Sequence, residues 1–241
     1  MSQKRTRIAL LATTVAAIGA MVVTATPASA AFVVPLEEPV KNWVVSGELT
    51  PKKLNQPLTL PEGSTFNGRA NVALEIEPGG APFATGTVTG SLFVPPFDTT
   101  LLLVGLVPTA VGVTFTQVGT TEGTLVTAPE AECAGSKGVS GSKGCVTLSV
   151  PTKAELGITE IGLLGINTPV HCETSEPVTF PLSAHVTLVE LLHEGPHFAG
   201  TVTIPPMTCE GLTGIAVAPL LTTLMSGPDN PYTLSIGPPK T

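Results

Sequence analysis

Apolar and polar side chains alternate with a period of two in segment after segment of this chain, and glycine and proline separate the alternating segments. From Arg69 to Glu77, Ala70, Val72, Leu74 and Ile76 fall on one face, and Asn71, Glu75 and Glu77 on the other. That is the pattern of a strand with one wet side. It recurs at Val111-Val113-Phe115, at Val146-Leu148-Val150, at Leu182-Ala184-Val186-Leu188 and at Tyr232-Leu234-Ile236. With 25 glycines and 24 prolines spread along the chain, long helices are costly, because both residues disfavour helix interiors. Short strands between such turns predict an all-β fold, a sandwich or barrel of antiparallel strands, of which we expect the antiparallel β-sandwich.

The first thirty residues read differently. Lys4, Arg5 and Arg7 precede an uncharged apolar run from Ile8 to Val23, and the small-residue stretch after it ends in Ala28-Ser29-Ala30. This is the order of a secretory signal peptide, with cleavage expected after Ala30. The remainder keeps 8 basic residues against 18 acidic ones, a net charge of −10. Nucleic acid is excluded as a partner on that balance, since phosphate binding draws its energy from clustered Lys and Arg. Here the cations stand singly apart from Lys52-Lys53. No integral membrane span is expected in the mature chain, because its apolar stretches are too short or too interrupted to cross a bilayer.

Two stretches of the mature chain resemble each other. Gln56-Pro57-Leu58-Thr59-Leu60-Pro61 matches Glu176-Pro177-Val178-Thr179-Phe180-Pro181, and Phe83-Ala84-Thr85-Gly86-Thr87-Val88-Thr89 matches Phe198-Ala199-Gly200-Thr201-Val202-Thr203 with one residue skipped. Pro95-Pro96 and Pro205-Pro206 follow in turn. The order of the blocks predicts an internal duplication. It would give one sandwich half over residues 31–128 and a similar one over 145–241, joined by a flexible Gly and Ser rich connection at 129–144. The lysines of that connection are preceded by Ser and followed by Gly, so it lacks the Gly-Lys-Ser/Thr of a phosphate-binding loop. The four cysteines, Cys133, Cys145, Cys172 and Cys209, predict two disulfides in an exported protein and leave three pairings open. Cys133 with Cys145 would close the connection on itself. Cys172 with Cys209 would tie the start of the second half to the segment after its proline pair.

No constellation of catalytic or cofactor-binding residues survives inspection. His193-Glu194-Gly195-Pro196-His197 satisfies H-E-x-x-H, but that zinc motif works only where a helix sets two imidazoles one turn apart. Gly195-Pro196 inside it opposes a helix. His193 and His197 are therefore expected to flank an exposed turn and are weak metal candidates, able at most to bind stray Zn or Ni. His185 falls on the polar face of its strand. The only aspartates are Asp98 and Asp229, and no G-x-S-x-G elbow accompanies them. Glu75 and Glu77 share a strand face, but a glycosidase cleft needs aromatic sugar platforms, and the chain has one Trp and one Tyr.

The run from Trp43 to Pro57, WVVSGELTPKKLNQP, with Phe66-Asn67-Gly68, Val111-Gly112-Val113-Thr114-Phe115 and Ser175-Glu176-Pro177, resembles a group of exported proteins of actinobacteria that carry no assigned chemistry. The resemblance implies export and nothing further. These observations predict a secreted, non-catalytic protein of the cell envelope or exterior that works through its surface, without a cofactor. A second reading is a binder of lipid or another apolar ligand, resting on the apolar stretches Leu101 to Val113, Leu156 to Ile166 and Leu212 to Met225. A closed apolar cavity of several hundred Å³ would favour it. The third, a metal-dependent hydrolase at His193, Glu194 and His197, requires the helix that Gly195-Pro196 opposes.

Overall fold

The computed structural model describes residues 32–76, 83–103, 107–128, 145–163 and 166–238. The expected signal peptide at 1–30, the connection at 129–144 and the turn at 77–82 lie outside the described residues. From Phe32 onward the chain is one unit. Its strands are β1 (Phe32–Leu49), β2 (Leu58–Thr59), β3 (Thr65–Ile76), β4 (Phe83–Phe93), β5 (Phe97–Leu103), β6 (Val107–Gln117), β7 (Thr121–Ala128), β8 (Cys145–Leu163), β9 (Ile166–Thr174), β10 (Val178–Val186), β11 (His197–Ile204), β12 (Met207–Glu210) and β13 (Gly227–Gly237). Two helices are described, α1 (Leu188–His193) and α2 (Gly211–Met225).

The all-β antiparallel fold is formed as the alternation predicts, but its layers are not two separate sheets. One hydrogen-bonded path runs β11-β13-β1-β3-β4-β7-β8-β6-β5, and β10 and β9 pair with the other side of β8. A strand of 19 residues such as β8 extends roughly 60 Å at about 3.3 Å per residue, long enough to serve two layers. In its first half Leu148 stands opposite Leu125 of β7 and Ala184 of β10. In its second half Ile158 stands opposite Val113 of β6 and Cys172 of β9.

Around the first half of β8 the sheet curls on itself. β13, β1, β3, β4, β7, β8 and β10 follow one another, and β11, at the far end of the path, returns alongside β10. Among the described residues no ladder joins β10 to β11, so the sheet is not closed into a barrel. Tyr232 of β13 spans the seam: its hydroxyl donates to the Pro181 carbonyl at 3.1 Å, and its ring meets Phe180 edge to face at 5.5 Å. Gly200 of β11 makes room for that ring, since a Cβ there would come within 3.0 Å of the Tyr232 hydroxyl. In β1 the ladder shifts register between Val40 and Trp43, with Asn42 at φ 51°. The resulting bulge turns Trp43 toward the interior, as bulges re-aim side chains.

Around the second half of β8, α2 lies over β9 and β12. Leu221 and Met225 of α2 are buried together with Leu101 and Val111. The helix carries apolar residues on its outer face as well, where Leu212 and Ile215 stand 91% and 64% exposed. Among the described residues no helix is long and apolar enough to cross a membrane.

The two stretches that match in sequence do not take matching places. Leu58-Thr59 forms the two-residue β2, whereas Val178-Thr179 opens the nine-residue β10. Phe83 is exposed at the start of β4, whereas Phe198 of β11 is buried. β4 lies inside the sheet between β3 and β7, and among the described residues β11 pairs with β13 alone. The stretches 31–128 and 145–241 are joined through one sheet. β1 pairs with β13, β6 and β7 pair with β8, and buried residues of both stretches join one core. Strands draw on few residue types, so similar strings are compatible with different pairings, and the pairing across the sheet decides the place of each.

Candidate ligand cavity

The histidine motif is divided among three local structures. Thr187 caps α1 in a reciprocal box with Glu190: the Glu190 N–H donates to Thr187 Oγ1 at 3.1 Å, and the Thr187 N–H to Glu190 Oε2 at 2.9 Å. His193 ends the helix, Glu194 is its C-cap, Gly195 turns at φ +80°, and His197 opens β11 with its Nδ1 2.7 Å from Ser235 Oγ. The two imidazoles therefore do not stand one helical turn apart, as zinc would require. Among the described residues no three His, Cys, Asp or Glu side chains gather where they could hold a metal ion. His185 is exposed beside Thr147 Oγ1, and Asp229 pairs with Lys52 at 3.5 Å on the open surface.

The same turn anchors α1 across one end of the curled sheet. The Ile236 N–H donates to the Pro196 carbonyl at 3.1 Å, and a Cβ on Gly195 would lie 1.8 Å from the Ile236 carbonyl oxygen. Gly195→Ala therefore combines a strained left-handed residue with a backbone clash. We expect it to cost about 3 kcal/mol, measured as a lower midpoint in urea unfolding with an unchanged slope.

Cys172 and Cys209 are bonded, facing each other in the β9–β12 ladder with Cα atoms 4.0 Å apart. This excludes every pairing that joins either of them to another cysteine. Cys145 is also disulfide-bonded, and Cys133 lies outside the described residues.

Inside the curled sheet is a cavity of about 590 Å³. Eight strands surround it, β1, β3, β4, β7, β8, β10, β11 and β13, a number whose interior is filled by side chains or holds one small ligand. Phe66, Ala70, Val72 and Leu74 of β3, Val88 and Leu92 of β4 and Leu125 of β7 line it, while the ring of Phe66 packs over Gly68 and Gly90. Trp43, Leu191 of α1, Pro196 and Ile236 also line the cavity. Among the described residues none that lines it is charged, and the polar side-chain groups are the Thr152 hydroxyl and the Trp43 indole. The apolar stretches singled out in the sequence do not line it. Leu101, Val111, Ile161 and Leu221 instead bound a smaller space of about 190 Å³ beneath α2.

A side chamber of about 50 Å³ adjoins the main cavity, sharing Leu92, Thr152, Leu182 and Leu234 with it and adding Gln117, Phe180, Tyr232 and Glu48. Gln117 Nε2 donates among the Gly119 carbonyl at 2.7 Å, Thr121 Oγ1 at 3.2 Å and the Gly90 carbonyl at 3.4 Å, while Gln117 Oε1 accepts from the Leu92 N–H. Thr121 and Thr152 hydroxyls lie 3.1 Å apart, and Thr152 donates to the Val150 carbonyl at 3.2 Å. Burial raises the Tyr232 phenol above its ordinary pKa of 10.0. Folding thus keeps this proton past the pH at which the unfolded chain releases it. Stability from this group is intact below pH 10.0 and lost as the pH climbs through that value toward the higher native one. Tyr232→Phe should remove that component of alkaline unfolding, read as a flatter decline of the urea midpoint between neutral and strongly alkaline buffers.

A single antiparallel sheet curled around an uncharged hollow defines the class, an all-β protein with an internal apolar cavity. No family model, curated protein or solved structure matches the chain.

Proposed function

We propose that this protein is exported and binds a lipid or another apolar ligand in the cavity of its curled sheet. The observation that carries this reading is the cavity itself: about 590 Å³, walled by aliphatic and aromatic side chains and free of charge. Ligand sites are concave, mostly apolar and of a few hundred to about 1,000 Å³. A well-packed domain leaves few voids larger than a water molecule, so a hollow of this size is a feature that ordinary packing does not produce. Each apolar Å² that a ligand buried there would contribute about 25 cal/mol. The basic and apolar leader ending in Ala28-Ser29-Ala30 and the Cys172–Cys209 bond support export to an oxidising compartment. Catalysis has no comparable support, and a metal-dependent hydrolase at His193, Glu194 and His197 lacks the helix it needs.

The test is native mass spectrometry of protein purified from culture supernatant without a tag or metal column, beside the same sample after denaturation. The expected result is a bound mass of lipid size that is lost on denaturing and recovered in an organic extract. A bare protein that also fails to take up an added neutral lipid or solvatochromic dye would overturn the reading.

A further inference from the structure

We infer that the space beneath α2 is a second binding site, separate from the cavity of the curled sheet, for one compact uncharged molecule the size of a hydrocarbon ring. It holds about 190 Å³. Leu101 of β5, Val111 of β6 and Ile161 of β8 bound it from the sheet, and Val217, Leu221 and Leu224 bound it from the helix. No residue that lines it is charged, and among the described residues its wall presents no polar surface. The one hydroxyl among the lining residues, on fully buried Thr109, donates to the Val107 carbonyl at 3.2 Å. A water needs about two to four polar partners to settle in a cavity, so this space is dry. A dry space of about 150 Å³ with an aliphatic and aromatic lining admits benzene or xenon, and this one is larger.

The space persists because α2 is held from beside it. Toward the start of the helix Gly214 packs on the disulfide, where a Cβ would lie 3.0 Å from Cys209 Cβ. Toward its end the Met207 N–H donates to Thr222 Oγ1 at 2.9 Å, and Ser226 Oγ donates to the Pro205 carbonyl at 2.7 Å. These anchors fix the helix to β12 and to the proline pair before it. A hydrogen bond holds only over a narrow range of distance, so α2 does not settle onto β5 and β6 to close the gap. Access is on the side of Leu220, which bounds the space and is 41% exposed. Pro219 beside it brings no N–H to the helix, which leaves that turn one backbone bond short. The two hollows share no lining residue, and the inference does not depend on the ligand of the larger one.

The experiment titrates benzene and phenol into the delipidated mature protein and into Val88→Trp, which fills the main cavity that Val88 lines, and follows side-chain methyl NMR signals. In both proteins benzene is expected to shift the methyls of Leu101 and Leu221. Phenol should bind there about tenfold more weakly, because its hydroxyl leaves water without a partner. Val217→Phe and Val111→Phe each put a ring into the space, and whichever of them keeps a cooperative thermal transition should weaken benzene binding at Leu221 at least tenfold. Shifts confined to Val88 and Leu125 of the parent and absent from Val88→Trp would assign benzene to the main cavity alone, overturning the inference and leaving the proposed function standing. Phenol binding as tightly as benzene, or undiminished shifts at Leu221 in the folded ring variants, would also overturn it. Benzene held at Leu221 by a protein whose main cavity takes up neither lipid nor dye would support this site and overturn the proposed function.

Discussion

Replacing Cys172 and Cys209 together by alanine is expected to lower the unfolding free energy by about 4 kcal/mol, the chain-entropy value for a bridge of this span; the cysteines are 37 residues apart. For a domain of roughly 200 residues that corresponds to a drop in Tm of about 10 °C. The bond has leverage because β12 is four residues long and, among the described residues, pairs only with β9, while α2 follows it directly. Without the bond, what holds this corner is the short ladder, the contact of the Met207 N–H with Thr222 Oγ1 at 2.9 Å and the burial of Leu221 and Met225. Calorimetry of the double variant against the oxidised parent reads the effect. A shift of less than about 2 °C would show that packing beneath α2 holds the corner without the crosslink.

Val88→Trp is expected to abolish ligand binding while leaving the fold in place. Val88 is half-buried on the inner face of β4, where it lines the main cavity. An indole there extends into open space instead of displacing packed side chains, so the overpacking cost of a filled core does not apply. Binding of the neutral dye should fall at least 100-fold, equivalent to about 2.7 kcal/mol, with Tm unchanged or raised. Thr87→Trp, one residue earlier on the exposed face of the same strand, should bind as the parent does. Loss of binding in Thr87→Trp with retention in Val88→Trp would place the ligand outside the sheet.

Much of the strand content was legible because burial on one face imposes a period of two. Arg69 to Ile76 lies within β3, and Tyr232, Leu234 and Ile236 face inward from β13 as their alternation predicts. The segment from Leu182 to Leu188 shows where that rule stops. The alternation continues through Leu188, but the strand ends at Val186, because Thr187 and Glu190 form a capping box and start α1. The string Thr187-Leu188-Val189-Glu190 carries the S/T-x-x-E spacing that announces a helix, a local signal that outranks the alternation around it. The apolar-ligand reading of the sequence rests on other residues than those that form the cavity. Residues of its apolar stretches bound the space beneath α2, whereas the cavity is lined by the inner faces of ordinary alternating strands.

The sequence by itself determined the strand-rich class, the acidic balance, the four cysteines and the conflict between proline and the zinc motif, because each depends on composition or on neighbours along the chain. The tertiary structure alone decided that β8 serves two layers, that β1 lies against β13, and that β11 returns beside β10 without pairing to it. It alone made the hollow. A cavity is the difference between the space that eight converging strands enclose and the side chains they point into it, and no single strand carries either quantity.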